Sequence, residues 1–226
     1  MAALTKTIIK VTETEAIIKI AGKDTAAATI LLATDLLPYT NILDGVGTVT
    51  ISTGAATIVG VGTSFLTASH VNAKVYTSAG AYVGTITSVT DSTHATLTAN
   101  GAAAIASTTY KIQYTTQSTT GLTPTVTIIG AQWTGEPGAV YAINRNSVRI
   151  MTLLADNGNF IDWIGSAIPP DNINATNDFS ITILDAAQAA AKQGELWLRL
   201  RKVDGYAGKI ETTLYGIYDN TLVTGS

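Results

Sequence analysis

Short runs of β-branched and apolar residues, each cut off by glycine, asparagine, proline or a Thr/Ser cluster, recur along the whole chain and leave little room for helices. "TKTIIKVTETEAIIKIA", from Thr5 to Ala21, sets apolar residues on either side of a polar centre, Thr12 to Glu15. That pattern predicts two strands joined by a turn, or one long bent strand. Pro38, Asn41, Asp44 and Gly45 then form a cluster of breakers, which predicts a boundary.

A change in charge density marks a separate module after that boundary. Between Val46 and Tyr110 only Lys74 and Asp91 carry formal charge. Inside this stretch "TVTIST", "ATIVGVG", "AKVYTS", "YVGTITSVT", "HATLTA" and "TYKIQYT" alternate with turn signals, the spacing of a small all-β barrel or sandwich. After a polar linker, Thr115 to Thr120, strand-like segments return: "TPTVTIIGAQW", "AVYAINR", "SVRIMTLLA", "FIDWIG", "FSITIL" and "GELWLRLRKV". In the last of these Leu196, Leu198 and Leu200 share one face, opposite Trp197, Arg199 and Arg201. One stretch reads differently. "DAAQAAAKQG", Asp185 to Gly194, has an Asp start, an alanine run and a Gly stop, and predicts one short helix. The expected fold is therefore all-β: a discontinuous β-sandwich body of residues 1–44 and 119–226, a small inserted barrel or sandwich over 45–118, and one short helix.

Composition narrows the function classes. The 226 residues are 46% hydrophobic and only 13% charged, with a net charge of −3. No chain-wide positive field exists to condense on phosphates, so generic nucleic-acid binding lacks its main energetic term. The absence of Cys excludes disulfides, thiolate nucleophiles and thiolate metal sites. "MAALTKTIIKVTETE" contains no apolar signal core and "AAATILLA", Ala26 to Ala33, is too short to span a bilayer, so a soluble, unprocessed chain without membrane partners is expected.

Motif tests for chemistry fail. "TIVGVGTSFLT", residues 57–67, has the glycines of a phosphate loop, but Gly62 is followed by Thr63, Ser64 and Phe65 rather than Lys-Ser/Thr. A dinucleotide fingerprint would need glycine where Phe65 stands. The stretch reads as a glycine-bearing strand end and turn, with Phe65 and Leu66 folding back as apolar plugs. His70 adjoins Ser69 and His94 lies near Asp91, but neighbours along a strand point to opposite faces, so both histidines are expected at the surface or in turns. Asp156, Asp162, Asp171, Asp178 and Asp185 invite a calcium hypothesis, yet "DNGNFID" places Gly158 and Phe160 where oxygen donors belong. Asn157-Gly158 is better read as a hairpin turn, and "PPDNINATND" as a solvated loop. No cofactor or metal site is expected, and no enzymatic activity.

The remaining candidates are contact residues. Arg145, Arg149, Arg199, Arg201 and Lys202 form the strongest local basic group, which is either the polar face of two strands or a contact for an acidic partner. Trp133, Trp163, Trp197, Tyr141 and Tyr206 are either interface anchors or core. The candidate interface set is Trp133, Tyr141, Arg145, Arg149, Trp163, Arg199, Arg201 and Tyr206.

A resemblance gives these features a setting. The stretch from "GTVTISTGAATIVGVGTSF" through "YVGTITSVTDSTHATLT" to "TYKIQ", about a third of the chain, resembles a β-module that recurs in virion proteins of tailed bacteriophages. It carries that module's valine-threonine run and Gly-x-Gly-Thr-x-Phe turn. The flanks, "KVTETEAIIKIAG" and "TPTVTIIGAQWTGEPGAVYAINRNSVRIMTL" through "ELWLRLRKVDGYAGKIE", are similar to virion structural proteins of marine phages, especially those infecting cyanobacteria. The resemblance implies a virion location, and as partners other virion proteins, the major capsid protein foremost, together with copies of itself. It supplies no catalytic motif. The reading that follows is a capsid decoration or cement protein acting by multi-copy β-surface contacts, with the insert as an exposed knob. The alternatives are a neck, tail or fibre-associated virion protein, or a host-glycan-binding module in which Tyr76, Tyr82 and Tyr110 stack on sugars.

Overall fold

The computed structural model describes residues 3–52, 54–119, 121–156, 160–162 and 174–209. The chain divides into two compact units, Met1–Leu37 with Thr119–Tyr206, and Pro38–Ser118 with Ala207–Ser226. In chain order the first unit contributes β1 (Thr5–Val11), β2 (Glu15–Gly22) and β3 (Ala28–Ile30). The second contributes β4 (Leu43–Asp44), β5 (Thr48–Ile51), β6 (Thr57–Val61), the one-turn helix α1 (Thr67–His70), β7 (Lys74–Thr77) and β8 (Tyr82–Val89). It continues with β9 (His94–Leu97), β10 (Ile105–Thr108), β11 (Tyr110–Gln113) and β12 (Gln117–Ser118). The first unit then resumes with β13 (Thr125–Gly135), β14 (Val140–Arg145), β15 (Val148–Leu154), β16 (Phe160–Asp162), β17 (Phe179–Leu184) and β18 (Gly194–Asp204). Last, β19 (Ala207–Gly208) pairs with β12 in the second unit.

The first unit is a sandwich of a five-stranded sheet, β1-β2-β18-β13-β16, and a four-stranded sheet, β15-β14-β17-β3. Alternation fixes which side of the larger sheet is buried. Ala16, Ile18 and Ile20 of β2 and Leu196, Leu198 and Leu200 of β18 are buried, while the residues between them are partly exposed or exposed. They meet Tyr141, Ile143, Phe179, Ile181 and Ile183 of the smaller sheet in one core. Each such aliphatic side chain contributes about 1.5–3 kcal/mol on burial. Between β1 and β2, Thr12 Oγ1 accepts the Glu15 N–H at 3.0 Å and Thr12 N–H donates to the Glu15 carbonyl at 2.8 Å, which closes a turn and makes two strands of the segment.

Two glycines shape this core. Gly135 of β13 pairs with Gly194 of β18, and the Tyr141 hydroxyl passes over both to reach the Thr134 carbonyl at 2.5 Å. A Cβ on Gly194 would lie 2.5 Å from that hydroxyl and 2.8 Å from Ile183 Cγ2. Gly194→Ala is therefore expected to destabilise the first unit by about 2 kcal/mol, seen as a lower urea midpoint of tryptophan fluorescence. An unchanged midpoint would show that the tyrosine can shift freely.

The helix expected over Asp185–Gly194 does not form. Asp185 Oδ1 accepts the N–H groups of Ala189 and Ala190 at 2.9 and 3.2 Å, and Asp185 N–H donates to the Ala190 carbonyl at 2.9 Å. Gln188 takes φ 59° to close the turn, and Ala191 bridges back to Leu184. Helix propensity loses here because so short a run has no apolar stripe to offset nucleation, and the connection must carry the chain from one sheet to the other. The only α-helix among the described residues is α1, in the second unit.

The second unit is an eight-stranded sheet in the order β10-β5-β6-β9-β8-β7-β11-β4. Val49, Ile51 and Ile58 from one end and Val75, Val83 and Ile112 from the other join one core, so the sheet curls around it. Its end strands β10 and β4 do not pair with each other, so no barrel closes. Phe65 is buried in this core as a plug, whereas Leu66, expected beside it, is 43% exposed. The unit begins at Pro38 because Thr40 N–H and Gly45 N–H donate to the carbonyls of Tyr114 and Tyr110, and β4 pairs with β11.

Candidate docking surface

The outer face of the five-stranded sheet follows directly from the alternation that buries its inner face. Ile17 and Lys19 of β2, Trp197 and Arg199 of β18, Gln132 of β13 and Phe160 and Asp162 of β16 stand on that outer side. Gly130 lies opposite both Arg199 and Asp162, where a side chain would otherwise stand. A Cβ there would meet the Ile161 carbonyl oxygen at 3.3 Å. The missing side chain leaves a groove of about 300 Å³, with Ile9, Ile17, Phe160 and Trp197 as its apolar walls. A smaller cleft of about 180 Å³, bordered by Lys10, Thr12 and Glu15, continues it past Ile17 and Arg199. Phe160 is 64% exposed and Ile9 45%, which is a large apolar display for a monomer surface.

Lys19, Glu195, Arg199, Glu15 and Asp162 around this groove are paired with one another within the sheet. Arg199 Nη2 contacts Glu15 Oε2 at 3.0 Å and Nη1 lies 3.8 Å from Asp162 Oδ2. Lys19 Nζ meets Glu195 Oε2 at 2.6 Å and lies 5.4 Å from the Trp197 ring centroid. Trp197 Nε1–H also donates to Glu195. The Lys19 ammonium, and then the indole N–H, hold the Glu195 carboxyl below its ordinary value. Internal pairing of this kind adds little stability in solvent. It does mean that covering the face needs no matching charge from a partner.

The sequence-derived contact residues fall into two groups. Trp133, Tyr141 and Arg145 are core residues and offer no surface to a partner. Trp133 Nε1–H donates to the Leu154 carbonyl at 2.9 Å, and Arg145 donates to the carbonyls of Ala175 and Val126, both at 2.6 Å, beneath the Phe179 ring. Tyr206 is half-buried, its hydroxyl bonded to the Leu32 carbonyl at 2.8 Å. Arg149 is exposed on the other sheet, bonded to Asn144 and Gln188 at 3.1 Å each. Arg199 belongs to the groove and half-buried Arg201 follows it on the same strand face. The five basic residues therefore do not converge: Lys202 turns to the Thr12 carbonyl at 2.7 Å, and burial lowers its pKa to about 8. Trp163 lies outside the described residues, as do Asp171 and the Asn157-Gly158 turn. Phe160 and Ile9, absent from the sequence-derived set, are exposed apolar residues that line the groove with Trp197, and no local signal in the sequence marks them.

Both histidines belong to the second unit. His70, expected at the surface, is buried at 2% exposure. Because α1 is a helical turn rather than a strand, Ser69 Oγ does reach His70 Nδ1, at 2.8 Å, and His70 Nε2 lies 3.3 Å from the Tyr114 hydroxyl. Both members are buried, Ser69 at 7% exposure and His70 at 2%. His94 Nδ1 lies 3.0 Å from Asp91 across a tight turn. The described acids are dispersed: Asp156 accepts the Gly138 N–H, Asp178 the Leu32 N–H and Asp185 the turn just described. No cluster of three His, Asp or Glu able to hold a metal occurs among the described residues. No helix among the described residues is long and apolar enough to cross a membrane.

Comparison with known protein families, with curated proteins and with solved structures finds no match for this chain.

Proposed function

We propose that this protein is a non-enzymatic structural component of a tailed-phage virion, a capsid decoration or cement protein that docks through the outer face of the five-stranded sheet. The observation that carries the reading is the groove between Ile9, Ile17, Phe160 and Trp197, rimmed by charges already paired within the same sheet. An aromatic-walled depression without net charge suits the apolar surface of a neighbouring shell protein or of another copy. Each contact is small, and many copies on a lattice sum weak contacts into durable attachment. A chain with 13% charged residues also experiences little repulsion between neighbouring copies. The sequence resemblance to phage virion proteins supports the same assignment and makes the major capsid protein the first partner to test.

The test is co-sedimentation of the purified chain with empty phage heads. Wild-type protein is expected to saturate heads at hundreds of copies, and Phe160→Asp to weaken binding at least tenfold while leaving the folded spectrum intact, since Phe160 is largely exposed. Saturation at about a dozen copies confined to the tail axis would move the protein to the neck or tail. Equal binding by wild type and Phe160→Asp would reject the groove as the docking face.

A further inference from the structure

The second unit carries a different surface, unrelated to the groove. On the outer face of β7, β8 and β11, Tyr76 stands between Tyr82 and Lys111, its cross-strand partners, and Lys74 stands between Thr85 and Gln113. The two tyrosine rings meet edge to face, 5.7 Å between centroids at 67°. Each hydroxyl is held: Tyr76 donates to Gln113 Oε1 at 2.9 Å, and Tyr82 shares a hydrogen with Thr85 Oγ1 at 2.9 Å. Gln113 is fixed in turn by donating to the Thr40 carbonyl at 2.9 Å, and the Lys74 ammonium sits 3.9 Å from the Tyr39 ring centroid. Rings locked in this way lose little rotamer freedom when something lands on them.

We propose that this face is a binding site for an acidic sugar residue, with the Tyr82 ring stacking on a pyranose and Lys111 and Lys74 flanking its carboxylate. Two features select that ligand class. The exposed aromatic area is about one ring wide, because Tyr82 is 47% exposed while its surroundings, Thr77, Ser78, Gly80 and Thr85, are small or polar. That matches the apolar face of one sugar and is far below the desolvated core that a protein interface requires. The charge is the second feature. Lys74 is one of only two formally charged residues between positions 46 and 110, and with Lys111 it sets two ammonium groups on this face, where the strand register places Asp44 opposite Lys111. An anionic ligand is favoured there. Tyr110, expected from sequence to share the sugar, is 3% exposed and packs inside the unit's core against Phe65, so it takes no part.

The full chain should be titrated by isothermal calorimetry with trigalacturonate and with the neutral galactose trimer. Binding of the acidic trimer is expected, at least tenfold weaker in Tyr82→Ala and nearly unchanged in Tyr82→Phe. Lys111→Gln is expected to weaken the acidic trimer several-fold without altering any response to the neutral one. No heat from the acidic trimer at about 10 mM, or binding that survives Tyr82→Ala, would overturn the proposal. Equal binding of a short poly-glutamate would overturn it in favour of an acidic protein partner. Phe160 and Trp197 belong to the other unit, so the outcome on phage heads and the outcome on sugars are independent readouts.

Discussion

Truncating Arg145 to alanine is expected to destabilise the first unit by about 4 kcal/mol and to lower its urea midpoint by about 2 M. The guanidinium has no solvent exposure, donates to the Val126 and Ala175 carbonyls at 2.6 Å each, and lies 4.0 Å from the centroid of Phe179, its cross-strand partner. Removing it strips both carbonyls of that donor, each orphaned acceptor costing about 1–3 kcal/mol, and opens a void against the ring. Relief from burying a charge offsets part of this, which keeps the total near the lower end of the sum. Arg145→Lys is expected to recover only part of the loss, because a single ammonium cannot reproduce the planar fork that spans two carbonyls. Tryptophan fluorescence is the proper readout, since residues 133, 163 and 197 all lie outside positions 38–118 and 207–226. A midpoint within about 0.5 M of wild type would mean that the guanidinium contributes no net stability where it lies.

The same arginine shows where sequence stops being informative. In "AVYAINR" it reads as the charged end of a strand, and nothing local says that carbonyls from residues 126 and 175 will close over it. The alternation of Leu196, Leu198 and Leu200 against Trp197, Arg199 and Arg201 was legible because a period of two is a property of the strand alone. The groove was not legible. It depends on Gly130 falling opposite Arg199 and Asp162, a register set by an irregularity between Ile128 and Gly130 and by strands far apart in sequence. Ser69 and His70 fail for a different reason: the argument that neighbours diverge holds in a strand, and a single helical turn suspends it. The alanine run at 185–194 is the reverse case, a genuine local preference overridden by the need to cross between sheets.

These facts also separate what each unit can contribute. The sandwich supplies a groove bordered by ion pairs formed within its own sheet. The curled sheet supplies a narrow, rigid aromatic strip with Lys74 and Lys111 on the same face. On the two proposals above, a weak sugar contact at the second, multiplied by the copy number that the first would establish on a particle, would gain avidity without any tighter single site.

The second unit is expected to lose about 3 kcal/mol of stability as pH falls from about 6.5 to 4, and His70→Gln is expected to remove most of that slope. Burial lowers the His70 pKa to about 4, the nearby Lys209 ammonium pushes the same way, and the bond to the Leu66 backbone opposes them. A histidine that titrates lower folded than unfolded binds fewer protons in the native state throughout the interval between the two values. Acid therefore favours unfolding there, and the full stability is present only above the unfolded value. Other groups facing the ring do not mimic the effect. Lys209, whose ammonium donates to the Ser69 and Val71 carbonyls at 3.0 and 2.8 Å, has its pKa lowered by burial to about 8 and stays charged across the whole interval. Tyr114 and Ser69 are neutral in that range. Elsewhere in the unit Asp91, held below the ordinary carboxylate range by its bonds to Thr93, weakens the fold mainly below about pH 4, where its unfolded form takes up a proton. Amide hydrogen exchange at buried strand positions such as Val75 and Ile86 isolates this unit from the tryptophan-bearing one. If protection of those amides is the same at pH 7 and pH 4.5, or falls equally in His70→Gln, the imidazole is not the group that acid charges first.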